Sequence, residues 1–376
     1  VRVLQLVPSL AVGGAERVAG LLAVHQARLG ADVSVASLAD PSGSFIEAEL
    51  RAAGVPLHFL GKPPGLDVRV VPRLARLLRQ RRPDVVHTHL HVLKYLLPAR
   101  TLWPRCRVVH TVHNMAEHEI ERSGRLLQQV AFRAGVAPVA IGDKVADSLR
   151  RVYHLDPAAT VFNGVDVDAF AAAAGARSDV RAELGIPADA PLFVSAGRLD
   201  EQKNQSLLLD AFATPAITTT GARLLVAGEG RLRPDLEAQR HRLGLDDRVL
   251  LPGVRRDLPR LLAAADAFVL SSSWEGNPLV VMEAMAAGTA VVSTDVGCVP
   301  ELVTPATGRL VPAGDAAALS ATLTVLAQDL ASCRALGAAG AARARQRFDA
   351  AVMARRYLDL YGALGQSAPR HLWSAS

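Results

Sequence analysis

The sequence predicts an α/β fold class, with two domains each built on a doubly wound parallel sheet. Three observations predict it. Short runs of Val, Leu and Ile alternate with longer helical patterns, which is the signature of strands buried on both faces and covered by helices. The alternation stops once, near the middle of the chain, and then restarts. The chain has 376 residues, half of them apolar and 21% charged, long enough for two cores.

Taken in order, near-continuous apolar runs place strands over 1–7, 32–38, 56–60, 84–88, 107–112, 138–141 and 160–162. Helical patterns lie between them over 15–29, 45–53, 71–80 and 145–152. Residues 170–190, FAAAAGARSDVRAELGIPADA, are rich in small residues and close on a Pro-containing turn. They interrupt the pattern before a new strand over 192–196. Strands over 224–227, 249–251, 268–271, 291–293 and 309–311 follow, again with helices between. The last helical pattern, 350–364, has no strand after it and is expected to pack back onto the first domain. The expected division is therefore 1–168, with 350–376 returning to it, and 169–349. Both halves read as Rossmann-like. Ligands in such sheets bind at the carboxyl ends of the strands, so the expected site is a cleft between two facing domains.

The bulk composition adds limits. Cys106, Cys298 and Cys333 are far apart and odd in number, which predicts neither a disulfide framework nor a zinc motif and favours a reducing compartment. The start, VRVLQLVPSL, reads as a strand and not as a signal peptide, and no apolar run is long enough to span a bilayer. The expected location is cytoplasmic. Residues 1–170 carry 21 Lys and Arg against 15 Asp and Glu, which accounts for the whole net charge of +6. That excess suits an anionic partner or membrane surface.

Three loops carry the candidate chemistry. SAGRLDEQKNQ, residues 195–205, follows the first strand of the second domain and leads into a helix near Asn204. Arg198 and Lys203, a planar fork and a compact charge, together with a helix N-terminus, suit a phosphate-type anion site, the plainer alternative being a solvated basic turn. PSLAVGGAERV places Gly13 and Gly14 at a helix start after the first strand, where a ligand can approach the backbone closely. SWEGNPLVVMEAMAAG, residues 273–288, holds Glu275 and Glu283 in an otherwise apolar stretch. On one helix their spacing would leave them about 80° apart, off a common face. Pro278 suits a first helical turn, so Glu275 falls in the loop and Glu283 on the helix over 279–287. Both can then enter one site from different directions. The plainer alternative makes Glu275 a helix cap and Glu283 a surface residue, but a carboxylate between Met282 and Ala284 needs partners.

The run E-G-N-P-L-V-V-M-E, an E-x7-E motif, combines in order with GGAE, NGVD and GRLDEQKN. Together these resemble glycosyltransferase family 4, over nearly the whole chain. The resemblance implies the GT-B fold and retaining transfer of a sugar from a UDP- or GDP-linked donor, with no metal or other cofactor. It implies that Arg198 and Lys203 hold the donor diphosphate, Glu275 contacts the transferred sugar and Glu283 the ribose. Backbone amides around Asn277, Pro278, Leu279 and Val280 would face sugar and phosphates, and Gly13 and Gly14 would close over the diphosphate. His113, in HTVHN, matches an active-site histidine near sugar and acceptor. The acceptor is a glycan, a lipid-linked molecule or a small molecule, as in polysaccharide or glycolipid synthesis. Competing readings are a nucleotide-sugar epimerase or phosphorylase of the same fold, and a non-catalytic subunit that binds a sugar nucleotide.

Other signals are weighed against this. Asp166-Val-Asp168 has the form of a metal-binding D-x-D but follows Asn163-Gly164, where a turn or hinge is expected. His87, His89 and His91 alternate, and share a face only if the strand persists through Leu90; no acidic or thiolate ligands accompany them. In residues 68–83, Leu74, Leu77 and Leu78 cluster opposite Arg69, Arg73 and Arg76. A core-facing leucine stripe is favoured over a membrane-docking helix, with peripheral contact to an anionic membrane kept open. Few aromatics interleave with the basic residues, so nucleic acid is not an expected partner.

Overall fold

The structure is a computed structural model that describes residues 1–101, 103–119 and 122–366. The last ten residues of the expected returning tail, 367–376, lie outside the described residues.

Seven strands form the first sheet: β1 (Arg2–Val7), β2 (Asp32–Ser37), β3 (Leu57–Phe59), β4 (Val85–His89), β5 (Arg107–Val112), β6 (Ala137–Ala140) and β7 (Ala159–Thr160). Their order is β3-β2-β1-β4-β5-β6-β7, all parallel. Six strands form the second: β8 (Leu192–Ala196), β9 (Arg223–Ala227), β10 (Val249–Gly253), β11 (Ala267–Leu270), β12 (Ala290–Thr294) and β13 (Gly308–Val311). Their order is β10-β9-β8-β11-β12-β13, again all parallel. Each sheet is the doubly wound type that the alternating pattern predicts. In each, the winding reverses beside the first strand, between β1 and β4 and between β8 and β11. Such switch points are where this kind of sheet opens a crevice for ligand.

The chain divides into residues 1–164 with the returning C-terminal helix, and Val165–Asp349. The division falls before Asp166 and Asp168, which the expected boundary had assigned to the first domain. The reason is packing: the helix Val167–Ala171 lies on the helices Leu279–Ala286 and Leu258–Ala264 of the second unit. Asp166 caps that helix, accepting from the Ala169 N–H at 3.0 Å, and Asp168 pairs with Arg345 at 2.8 Å. The chain meets itself closely at Gly164, where a Cβ would lie 2.6 Å from the Ala350 Cα. Only glycine fits there.

The helix Ala350–Gln366 packs along the helix Gly14–Arg28 and buries Met353, Ala354, Tyr357 and Tyr361 in the first unit. The helix Val70–Arg81 buries Leu74, Leu77 and Leu78 and leaves Arg73 and Arg76 outside, the core-facing arrangement that was favoured.

The second core gathers Phe193, Leu208, Phe212, Leu224, Val269 and Leu323 around the sheet. At the amino ends of β8 and β11 this unit buries an ionic cluster. Arg181, 3% exposed, reaches Asp266 at 2.8 Å, and Arg177 reaches the other oxygen at 2.6 Å. Arg181 also donates to the carbonyls of Ala264, Pro187, Ala188 and Ala190, and Asp266 accepts the Leu192 N–H at 2.8 Å. Every charge there is answered, as a buried pair requires.

Candidate active site

Two loops leave the carboxyl ends of the strands that flank the second switch point. The loop after β8 carries Arg198 and Lys203, and the loop after β11 carries Glu275. Asn204 takes a left-handed turn (φ 47°) and caps the helix Gln205–Phe212, its side chain facing the Leu207 N–H at 3.4 Å. β11 ends at Leu270, one residue earlier than expected, and Ser271 bonds the Lys203 carbonyl at 2.9 Å. The Ser273 N–H adds a bond to the Gln202 carbonyl at 2.8 Å. The two loops are thus fastened to each other by one side-chain and one backbone hydrogen bond.

Their side chains then meet. Lys203 Nζ stands 2.6 Å from Glu275 Oε1, and Ser272 Oγ donates to the same oxygen at 2.6 Å. Glu275 is 5% exposed and Lys203 16%. The helix Leu279–Ala286 begins on Pro278 with no side-chain cap, so Glu275 is not its cap. Its partner is Lys203. Arg198 is held differently. Its guanidinium bonds Gln202 at 3.0 Å and lies 3.3 Å from Asp200, and 71% of the side chain is exposed. The expected pair of cations is therefore one anchored lysine and one outward arginine. Asn277 and Pro278 are buried, Leu279 and Val280 half-buried. Glu283 is 2% exposed, which removes the surface alternative.

Glycines let these loops approach. A Cβ on Gly228 would lie 1.8 Å from the Gly197 carbonyl oxygen, and one on Gly297 would lie 1.9 Å from that of Glu275. Neither had been singled out in the sequence. The pattern Gly228-Glu229-Gly230 directly after a strand was the available signal, since glycine at a strand end often marks close backbone approach.

In the first unit, Gly13 stands at the N-cap of the helix Gly14–Arg28 in extended conformation. A Cβ on Gly14 would meet nothing within 4 Å, so the fold itself does not demand glycine there. His113 follows β5 directly. Its Nε2 lies 2.9 Å from His89 Nδ1, and burial pulls its pKa down to about 3. That burial favours the neutral ring. Burial also holds His87 and His89 well below the usual histidine value and brings His110 to about 3. The strand does not persist through Leu90, which turns left-handed (φ 57°). His91 therefore leaves the face that His87 and His89 share, and is exposed. Glu119 was not foreseen. It accepts the backbone N–H groups of His113 and Asn114, and burial pushes its carboxyl up to about 7.

Comparison with known proteins bears on this arrangement. Residues 12–169 match the model described as Glycosyltransferase Family 4, and residues 176–343 match Glycosyl transferases group 1. A D-inositol 3-phosphate glycosyltransferase of Xylanimonas cellulosilytica is 33% identical over 91% of this chain and 90% of its own. An Escherichia coli UDP-Gal:alpha-D-GlcNAc-diphosphoundecaprenol alpha-1,3-galactosyltransferase is 28% identical over 68% of this chain and 69% of its own. Among solved structures, Anabaena HepE in complex with UDP superposes with a TM-score of 0.82, at 22% identity, over 96% of this chain and 100% of that one.

Proposed function

The chain belongs to glycosyltransferase family 4, with the GT-B fold, and on that premise we propose that it moves a hexosyl group from a UDP- or GDP-sugar to a hydroxyl acceptor, with retention and without a metal. The observation that carries this reading is the Lys203–Glu275 pair, fastened at 2.6 Å at the carboxyl ends of the switch-point strands. As a glycosidic bond to a nucleoside diphosphate breaks, negative charge builds on phosphate oxygens. A fixed ammonium beside that leaving group stabilises the charge with little reorganisation, which is the work a metal would otherwise do.

In this reading Lys203 and Arg198 hold the diphosphate. Arg198, outward in this structure, swings onto it from its Gln202 contact. Glu275 accepts from hydroxyls of the sugar while Ser272 and Lys203 hold its other contacts. Glu283 reads the ribose, and the amides of Asn277, Leu279 and Val280 face sugar and phosphate. Gly13 and Gly14 give the diphosphate close access to a helix N-terminus, and His113 stands at the sugar and acceptor. No side chain serves as a nucleophile. The favoured path is a same-face displacement assisted by the leaving phosphate.

The decisive variant is Lys203→Ala. Removing one preorganised donor is expected to lower transfer about 10²–10³-fold with the fold intact by circular dichroism. Unchanged turnover would sink the assignment. UDP-glucose and UDP-galactose are the first donors to test by thermal shift, and D-inositol 3-phosphate joins glycan and lipid-linked acceptors in the assay. Proton NMR of the product reads the anomeric configuration.

A peripheral membrane contact has its own supporting observation. Arg76, Arg79 and Arg82 line a groove beside Trp103 in the first unit, and all three are exposed. Anionic headgroups would answer these charges. Flotation should then recover the chain with anionic vesicles and not with neutral ones; equal recovery from both would count against it.

A further inference from the structure

The first unit buries a chain of polar groups that ends on His113. Gln5 of β1 donates its amide N–H to Gln26 Oε1 at 2.9 Å, and Gln26 donates to the Tyr361 hydroxyl at 3.3 Å. Tyr361 lies 2.6 Å from His87 Nδ1, and His87 Nε2 lies 2.7 Å from Thr111 Oγ1, itself 2.8 Å from the Tyr357 hydroxyl. At the other end, Gln5 Oε1 lies 2.9 Å from His89 Nε2, and His89 Nδ1 lies 2.9 Å from His113 Nε2. Gln5, Gln26, His87, His89 and Thr111 are wholly buried. An apolar filling would satisfy stability alone. This chain spans three strands and two helices and closes on the half-buried histidine.

The roles along it can be read in sequence. With the Gln5 amide oriented as it is here, N–H toward Gln26 and oxygen toward His89, the proton of that contact sits on His89 Nε2. Burial keeps His89 neutral, so its Nδ1 is bare. The proton in the contact to His113 then belongs to His113 Nε2. His113 is neutral too, which leaves its Nδ1 as the lone-pair nitrogen. The groups around His113 agree with a neutral ring: His87 and His110 from β4 and β5 are uncharged, and Glu119 engages the backbone of His113 and not its ring.

We propose that His89, oriented by Gln5, is a positioning residue that holds His113 in the Nε2–H tautomer and so presents Nδ1 as a hydrogen-bond acceptor to a substrate hydroxyl. The substrate half of this statement rests on the glycosyltransferase reading above; the tautomer half does not. A hydroxyl donor on the sugar or acceptor would be received, and a carbonyl or other acceptor-only group refused.

The test reads the ring directly. In protein labelled with ¹⁵N-histidine, long-range ¹H–¹⁵N correlation spectra report which nitrogen carries the proton, and His113→Ala identifies the His113 signals. The expected result is Nε2–H in the unaltered chain, a mixture in His89→Leu, and recovery in His89→Asn, whose amide oxygen can stand where Nδ1 stood. In steady-state transfer, His89→Leu should lower kcat about tenfold to a hundredfold with KM for donor little changed, and His89→Asn should restore part of it. If His89→Leu does not fold, Gln5→Met removes the acceptor at the head of the chain and must produce the same tautomer mixture. A proton found on Nδ1 of the unaltered chain overturns the proposal, as does an Nε2–H ring that persists in His89→Leu or Gln5→Met. A chain with the expected tautomer that transfers no sugar would refute the function reading alone. Transfer by a chain with Nδ1–H would refute this one alone.

Discussion

Two ionic clusters stand at opposite ends of the same pair of strands. At the amino ends of β8 and β11, Arg177 and Arg181 share Asp266, and backbone carbonyls and an N–H complete the set. At the carboxyl ends, Lys203 meets Glu275 with help from Ser272. Both bury their carboxylate, Asp266 and Glu275 each being 5% exposed, and both join segments that are distant in sequence. The first uses arginine, whose fork engages a carboxylate and several carbonyls at once. It has little capacity left for a ligand. The second uses lysine, a point charge on a flexible stem, beside an arginine that remains 71% exposed. One cluster is a clasp, and the other leaves an arginine exposed at the carboxyl end of the sheet, the end where such folds take their ligands. The two clusters differ in the completeness of their partners more than in the burial of their charge.

The contrast can be broken by substitution. Asp266→Ala leaves two arginines without their carboxylate and is expected to cost about 3–5 kcal/mol in denaturant unfolding, as for a buried pair stripped of one partner. A loss under about 1 kcal/mol would mean that water replaces the clasp. Glu275→Gln should reverse the balance. The loss of a charged hydrogen bond, about 1.5–3 kcal/mol, should appear in transfer and leave unfolding nearly unchanged. If the midpoint falls as far as in Asp266→Ala, the two clusters are not different in kind. Gly297→Ala sets a Cβ against the Glu275 carbonyl at a positive φ of 51° and is expected to cost about 1–3 kcal/mol. A poorer fit of donor should accompany it, checked by the donor-induced thermal shift.

Acidification gives the smallest effect per group and tests the first unit against the second. His87, His89, His110 and His113 all have folded pKa values depressed by burial. The unfolded chain binds protons that the folded one refuses, so this stability is full above the unfolded value near pH 6.5 and lost as pH falls toward about 3. Glu119, raised to about 7, acts oppositely. Its contribution is present below its unfolded value and lost as pH rises through about 7. Four histidines outweigh one carboxyl, so thermal unfolding monitored from pH 7 to pH 5 should shift downward. A flat profile would show that the histidines are not held neutral.

Much of the architecture was legible because burial on both faces writes strands as apolar runs. The run over 107–112 and the one over 192–196 match their strands end for end. Residues 160–162 were harder, since only Ala159–Thr160 pair with β6 and the chain then leaves the sheet. The helix start at Leu279 followed from Pro278. The Asp166 cap did not follow from Asn163-Gly164, because a cap is recognised only once the helix behind it packs. Among site residues, Lys203 and Glu275 could be singled out one by one, but their contact spans loops after different strands.

The sequence by itself determined the doubly wound class, the restart near the middle, the strand-end loops and the family, because each is carried by residues close together in the chain. Tertiary structure decided which charges meet across the chain. It paired Glu275 with Lys203, left Arg198 outward, and joined His113 to His89, Gln5 and Tyr361. These are contacts between distant segments, and no local periodicity records them.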